Sequence, residues 1–284
     1  MTILVTGATG QLGSKVVTQL LEKVPASEVA VSVRNPDKAE HWKTLGVDVR
    51  HGDFDKPETL DTAFAGVDRL LLISADGDNE TRIRQHTAAV DAAKRAGVGF
   101  IAYTSVGNAQ ESGLGLAPVH KATENAIIAT GIPYSFLRNN WYLENELSSI
   151  QAAAAGAPWV TSAGSGKVGW ATRDDYAAAA VAVLTGAGHA NTVYELSGPL
   201  LKQEELATAV GHVLGKEITV QQVDDAKYAE IMKAAGLPDF LLPILVSIQQ
   251  GIREHHLEVV HSDFEKLLGR PVTPLEEGIR QILA

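Results

Sequence analysis

The chain has 284 residues, 45% of them hydrophobic and 20% charged, enough to bury a sizeable core in one large domain or in a domain with a smaller lobe. Its 24 Lys and Arg against 34 Asp and Glu leave a net charge of -10, an acidic surface that repels phosphate backbones and argues against nucleic-acid partners. There is no cysteine, which excludes disulfides, thiolate nucleophiles and cysteine metal sites and suits a reducing compartment.

The chain opens MTILVTGATG, with no basic segment and no apolar stretch of signal-peptide length, and no later run is long enough to span a bilayer. A soluble, cytoplasmic protein is expected. Short β-branched runs then alternate with amphipathic stretches. Strands are predicted at Ile3–Thr6, Val29–Val33, Val47–Arg50, Leu70–Ser74, Phe100–Ser105 and Tyr134–Leu137. Helices are predicted near Gln11–Val24, Asp37–Leu45, Pro57–Ala65, Glu80–Ala96 and Pro118–Thr130. This alternation implies right-handed βαβ units and a doubly wound parallel α/β sheet. Leu70–Ile73 is apolar throughout, as a strand covered on both faces requires.

After Asn139 the rhythm loosens. Gln151–Ala157 is small and featureless; a helix is predicted from about Arg173, a strand at Val193–Leu196 and another near Ile218–Gln221, with the rest mostly helical. We expect a Rossmann-type NAD(P)-binding domain at 1-150 and a smaller, mixed, mainly helical substrate-side lobe at 151-284, its elements partly interleaved with the first.

Gly7-Ala8-Thr9-Gly10-Gln11-Leu12-Gly13 follows a strand directly and opens a helix. Gly7 permits the tight turn, Gly10 lets the backbone approach a pyrophosphate, and Gly13 lets helix and strand pack closely. The pyrophosphate then meets the free N–H groups and positive end of the helix. The second strand ends in Arg34 where an NAD site usually places a carboxylate, and a guanidinium there can grip a 2′-phosphate, so NADPH is expected over NADH. Asp37 lies close and offers a ribose ligand if the loop folds back. Asp53 ends the third strand, either to accept from an adenine amino group or to cap the helix near Pro57.

Standard short-chain reductases use a Tyr and a Lys four residues apart on one helix. None of the six tyrosines has Lys four positions later. His120 and Glu124 share a helix face, either as a proton donor oriented by a carboxylate or as an exposed charge pair. The nine histidines are dispersed apart from adjacent His255-His256, so no metal site is expected.

The segments Thr6–Gly13, Val33–Pro36, Ile101–Ser105, Leu137–Tyr142 and Ala171–Tyr176 resemble the NmrA-like atypical short-chain dehydrogenase/reductases. The resemblance is firm to about Tyr176 and thin after Ser197. It implies an NADPH-dependent reductase with a cleft between two lobes, and cofactor contacts at Gly7, Thr9, Gly10, Gln11, Leu12, Gly13, Arg34, Ser74, Ala75, Arg138, Asn139, Asn140, Trp141, Tyr142 and Arg173. In isoflavone-reductase members a catalytic Lys precedes the turn that is Gly131–Tyr134 here. That place holds His120, with Lys121 next to it, which fits the quinone- and dye-reducing members better. A quinone accepts hydride and becomes a stabilised anion that solvent can protonate; the protein must chiefly supply position, with Trp141 and Tyr142 as planar walls or plain core. His120, Lys121 and Tyr142 are the catalytic candidates, and the substrate expected is quinone-like or dye-like. A non-catalytic NADP(H)-sensing regulator is the competing reading, and a sugar-nucleotide epimerase is disfavoured by the missing Tyr–Lys pair. Oligomeric state is left open, a homo-oligomer included.

Overall fold

The computed structural model describes residues 1–284. The first half alternates as its hydrophobic pattern dictates: β1 (Ile3–Thr6), α1 (Gln11–Leu21), β2 (Val29–Val33), α2 (Glu40–Thr44), β3 (Asp48–His51), α3 (Glu58–Ala63), β4 (Arg69–Leu72), α4 (Asn79–Arg95), β5 (Phe100–Val106), α5 (Ala117–Thr130) and β6 (Tyr134–Asn139). The rest runs β7 (Trp141–Tyr142), α6 (Leu147–Ala154), β8 (Trp159–Thr161), β9 (Lys167–Val168), β10 (Trp170–Ala171), α7 (Arg173–Thr185), β11 (Thr192–Leu196), β12 (Leu201–Lys202), α8 (Gln203–Leu214), β13 (Val220–Gln222), α9 (Asp225–Ala234), α10 (Leu242–Arg253), α11 (Asp263–Leu268) and α12 (Leu275–Leu283).

Seven strands form one sheet in the order β11-β6-β5-β4-β1-β2-β3, parallel at every pairing. The order reverses between β1 and β4, which opens a crevice at their carboxyl ends. The alternation within each strand fills two layers. Ile3 and Val5 of β1 and Leu71 of β4 pack with α1 and α7 residues such as Val16, Val17 and Ala180. Leu4, Leu70 and Leu72 face the other way, onto Leu60, Phe64, Ala89 and Val90. Both faces of β4 are thus covered, as its unbroken apolar run requires. The chain crosses past residue 150 and returns: α7 lies against the first layer and β11 pairs in register with β6, Leu196 opposite Asn139.

Outside the sheet, a third core gathers Trp159, Trp170, Leu206, Val210, Ile252 and Ile279. Here the sequence expectations needed correction. Residues 151–154 are the end of α6, and the strand near Ile218 begins at Val220 and pairs with β8, three residues that carried no alternating signal. The stretch from Asp37 splits into a single 3-10 turn at Pro36–Ala39 and the short α2, because Asn35 Oδ1 captures the N–H of Asp37 at 3.0 Å and starts the turn early.

Candidate dinucleotide site and the network beside it

Gly7 leaves β1 with φ +60°, the left-handed region where glycine carries no steric penalty. Its carbonyl receives the Gly10 N–H at 2.9 Å, closing the turn. Gly10 caps α1 with its backbone alone, and no acidic side chain sits in the first turn. The first N–H groups of the helix are therefore unclaimed by any side chain, with Thr9, Gly10 and Gln11 exposed around them and Leu12 turned into the core. Gly13 has a different role from the one expected. A Cβ there would fall 2.3 Å from the Gly7 carbonyl oxygen and 2.9 Å from Ala8 Cα, so Gly13 lets the loop fold back on its own helix rather than admitting the strand.

Arg34 follows β2, is exposed, and makes no hydrogen bond or ion pair. Asp55, an acid that feels the charge of Arg34, is already held by Arg84 at 2.6 Å. Asp53 lies two residues beyond the end of β3, and its Oδ1 accepts the Asp55 N–H at 3.0 Å, so its side chain fastens its own loop rather than capping α3. These groups line the β1–β2–β3 side of the crevice.

On the β4 side, Ser74 and Ala75 are held by their backbone. Thr104 Oγ1 accepts the Ser74 N–H at 2.9 Å, and His86 Nε2 accepts the Ala75 N–H at 2.9 Å. With Nε2 accepting, the His86 proton sits on Nδ1 and is donated to Thr123 Oγ1 at 2.8 Å, and Thr123 donates to the Val119 carbonyl. His120 lies deeper than an exposed charge pair would. Its Nδ1 is 2.9 Å from the Tyr103 hydroxyl and its Nε2 is 3.3 Å from Arg82 Nη2, which also donates to Ser74 Oγ at 2.8 Å. Since a guanidinium only donates, Nε2 accepts and Nδ1 carries the proton.

The expected pairing of His120 with Glu124 is not made. Glu124 is fully buried and accepts from Ser105 Oγ, Gln110 Nε2, and Arg138 Nε and Nη2, all between 2.7 and 2.9 Å. Burial, reinforced by Arg82, lowers His120 to about 3, so it is neutral at physiological pH and is not an imidazolium donor. Burial and the same arginine lower His86 to about 4. Lys121 is exposed and donates to the Gln110 carbonyl at 3.0 Å, away from this network.

The segment after β6 divides between site and scaffold. Arg138 donates to both Glu124 and Glu195, so its guanidinium braces β6 from within. Asn140 donates to Ser197 Oγ and the Leu257 carbonyl, and Trp141 packs into the third core; both fasten the C-terminal elements. Asn139 donates to the Tyr142 hydroxyl at 3.0 Å, leaving its Oδ1 buried without a partner. Arg173 lies over the Tyr142 ring, 4.7 Å from its centroid, and its Nη2 donates to Asn145. Burial raises the Tyr142 hydroxyl above its ordinary value, so Tyr142 stays protonated and is not a base. Sequence reasoning missed Arg82, His86 and Tyr103. The first two are four apart on one helix face, a readable signal; the approach of Tyr103 to His120 is made only by folding.

The two buried histidines make stability depend on pH. The unfolded chain takes up each proton near 6.5, and the folded protein resists until about 4 and about 3. Their contribution is fully present above 6.5 and is lost as pH falls toward 4 and below, at up to about 1.4 kcal/mol per pH unit for each ring. The urea midpoint should therefore be lower at pH 5 than at pH 7.5. A His86→Gln, His120→Gln double variant should show a shallower difference. An equal slope in the two proteins would assign the loss to other groups.

No group of three or more His, Cys, Asp or Glu is gathered to hold a metal, and no helix is long and apolar enough to cross a membrane. Sheet order, glycine loop and unpaired Arg34 define a dinucleotide-binding α/β protein. The chain belongs to the NmrA-like family, whose profile matches residues 1–267. It is 42% identical to quinone oxidoreductase 2 of Escherichia coli (strain K12) over 281 residues, covering 99% of this chain and 98% of that protein. It is 30% identical to the NAD(P)H azoreductase of Xenophilus azovorans, covering 97% and 96%. Among solved structures it superposes on the triphenylmethane reductase of a Citrobacter species, complexed with NADP(H), with a TM-score of 0.96 and 42% identity over 99% of this chain and all of that one.

Proposed function

We propose that the chain is an NADPH-dependent reductase that delivers hydride to a planar, quinone-like or dye-like acceptor, working in the cytoplasm. The observation that carries the reading is the pairing of an uncapped α1 N-terminus with an unpartnered Arg34, two anion sites on adjacent strand ends of one crevice. These residues fit a dinucleotide carrying a 2′-phosphate: the glycine loop receives the pyrophosphate, and Arg34 receives the phosphate on the ribose. When bound, the reduced nicotinamide supplies hydride. Ser74 and Ala75 hold the opposite lip, fixed by Thr104 and His86. Tyr142, steadied by Arg173 and Asn139, offers a flat wall. Residues 1-150, joined by α7 and β11, form the nucleotide platform, and the remaining C-terminal elements form the substrate side. The named relatives, a quinone oxidoreductase, an azoreductase and a triphenylmethane reductase, support this acceptor class.

The test is direct. Purified protein mixed with NADPH and a simple benzoquinone should consume nicotinamide absorbance well above the uncatalysed rate. No acceleration, with NADPH bound, would leave a binding protein rather than an enzyme. Because His120 is neutral and a reduced quinone can take its proton from water, His120→Ala should lower kcat by less than about tenfold, well below the roughly hundredfold or more that a positioned acid contributes. A loss of several orders of magnitude would make His120 an obligatory donor.

A further inference from the structure

Three arginines of this chain have no carboxylate partner: Arg34, Arg69 and Arg82. Arg69 is explained, since its Nη1 spans the carbonyls of Val183, Leu184 and Gly186 at the end of α7. Arg34 is exposed at the ribose-phosphate position. Arg82 is neither. It sits in the first turns of α4, mostly buried, with its stem beneath the backbone of Gly77.

Only neutral groups hold it. Nη2 donates to Ser74 Oγ at 2.8 Å and to His120 Nε2 at 3.3 Å. Nε is buried without a partner, while Nη1 makes no hydrogen bond and is not fully buried. A largely buried cation without a counter-ion costs stability, and two hydrogen bonds to neutral groups repay little of it. Asp76 attracts it only from a distance, and burial already lowers its affinity for its proton. Such a charge marks a site that meets an anion during function.

The dinucleotide's own phosphates belong elsewhere, at the β1 loop and at the end of β2. Arg82 lies across β4 from both, between Ser74 and the end of α5 that carries His120. Asn79, three residues before it, donates to the Gly115 carbonyl, and a Cβ at Gly115 would fall 3.0 Å from Ser247 Oγ of α10. The start of α4, which carries Arg82, therefore lies beside the loop before α5 and beside α10, on the side where the C-terminal helices meet the strand ends.

We propose that Arg82 is a catalytic residue whose free Nη1 hydrogen-bonds the oxygen of a quinone acceptor as that oxygen gains charge. The inference rests on the chain being a hydride-transferring reductase. A quinone that takes hydride gains two electrons and one proton, with the bound reduced dinucleotide as the source. The hydride bonds to one quinone oxygen as its bond to the dinucleotide breaks, both carbonyl π bonds are absorbed into the now aromatic ring, the opposite oxygen is left as the anion, and water supplies the second proton. Arg82 stabilises that anion more than the neutral quinone, which raises kcat rather than binding alone. His120 and Ser74 position the guanidinium; they do not protonate the product.

A cationic triphenylmethane dye separates this role from a structural one. Hydride adds to its central carbon and the dye becomes neutral, so no anion forms and Arg82 has nothing to stabilise. Arg82→Met should lower kcat/KM for 1,4-benzoquinone by at least about a hundredfold, the lower end of the loss for one oxyanion donor. With malachite green, kcat/KM should stay within about twofold or rise as a repelling charge is removed. Arg82→Gln keeps a hydrogen-bonding side chain without the charge and should change the quinone-to-dye ratio in the same direction, which covers a Met variant that folds poorly. Arg82→Lys should recover part of the quinone rate. NADPH affinity, by fluorescence titration, should hold within about threefold in each variant. Equal losses with both acceptors, or a collapse of NADPH affinity, would overturn the proposal, as would an unchanged quinone rate. Wild-type protein that reduces neither acceptor would instead overturn the reductase reading on which it stands.

Discussion

Replacing Gly10 by Val should lower NADPH affinity by at least about a hundredfold while leaving the fold intact. Gly10 has φ -85° and ψ 173°, extended backbone that any residue adopts. A Cβ there would meet the Gly7 carbonyl oxygen at 3.2 Å, a contact that small adjustments relieve. What the side chain would fill is the space in front of the open helix N-terminus, where a pyrophosphate must approach the backbone. Losing two hydrogen bonds to a charged group, at about 1.5–3 kcal/mol each, corresponds to two to four decades in affinity. Calorimetric titration reads the affinity, and a thermal melt reads the fold. Near-normal binding in the variant would remove the anion site from the glycine loop. A lost melt would show that Gly10, like Gly13, serves the loop's own packing.

That contrast shows how far the sequence reaches. The parallel sheet was legible because Leu70–Leu72 of β4 is an unbroken apolar run and the short β-branched runs are separated by helix-length segments. The glycine loop was legible because strand, turn and helix adjoin it. The reason for Gly13 was not: its neighbour is the carbonyl of Gly7, a contact made by the curl of the loop and invisible to a rule about helices and strands. The same holds for His120. Helical spacing puts Glu124 on its face, and that spacing is real, but the ring turns to Tyr103 while Ser105, Gln110 and Arg138 surround the carboxylate. Local periodicity names the candidates. Which of two available partners a buried side chain takes depends on residues brought in by β5 and β6. Arg138 and Asn140 carry a further lesson: they lie in a segment that resembles cofactor-binding sequences, yet their side chains brace the scaffold.

Arg34→Ala should erase most of the preference for NADPH over NADH. The 2′-phosphate carries nearly two negative charges and NADH lacks it, so only NADPH gains from a cation at the end of β2. Arg34 is suited to the task because nothing in the protein competes for it: Asp55 is held by Arg84 and Gln85, and no ion pair reaches Arg34. One hydrogen bond to the charged phosphate contributes about 1.5–3 kcal/mol, which is about one to two decades in affinity. The wild-type protein should favour NADPH by that factor in kcat/KM. The variant should lose it through weaker use of NADPH, with NADH nearly unchanged. Added salt should act in the same direction on the wild type, since an exposed pair is screened beyond about 8 Å at physiological ionic strength. Lys38, exposed one turn further on, accounts for a modest residual preference. The ratio of kcat/KM for the two dinucleotides, in both proteins and at two salt concentrations, decides the matter. A wild type that prefers NADH, or a variant that loses both equally, would move the selector to Asp37. Its exposed side chain sits at the start of the Pro36–Ala39 turn, where a ribose hydroxyl would find it.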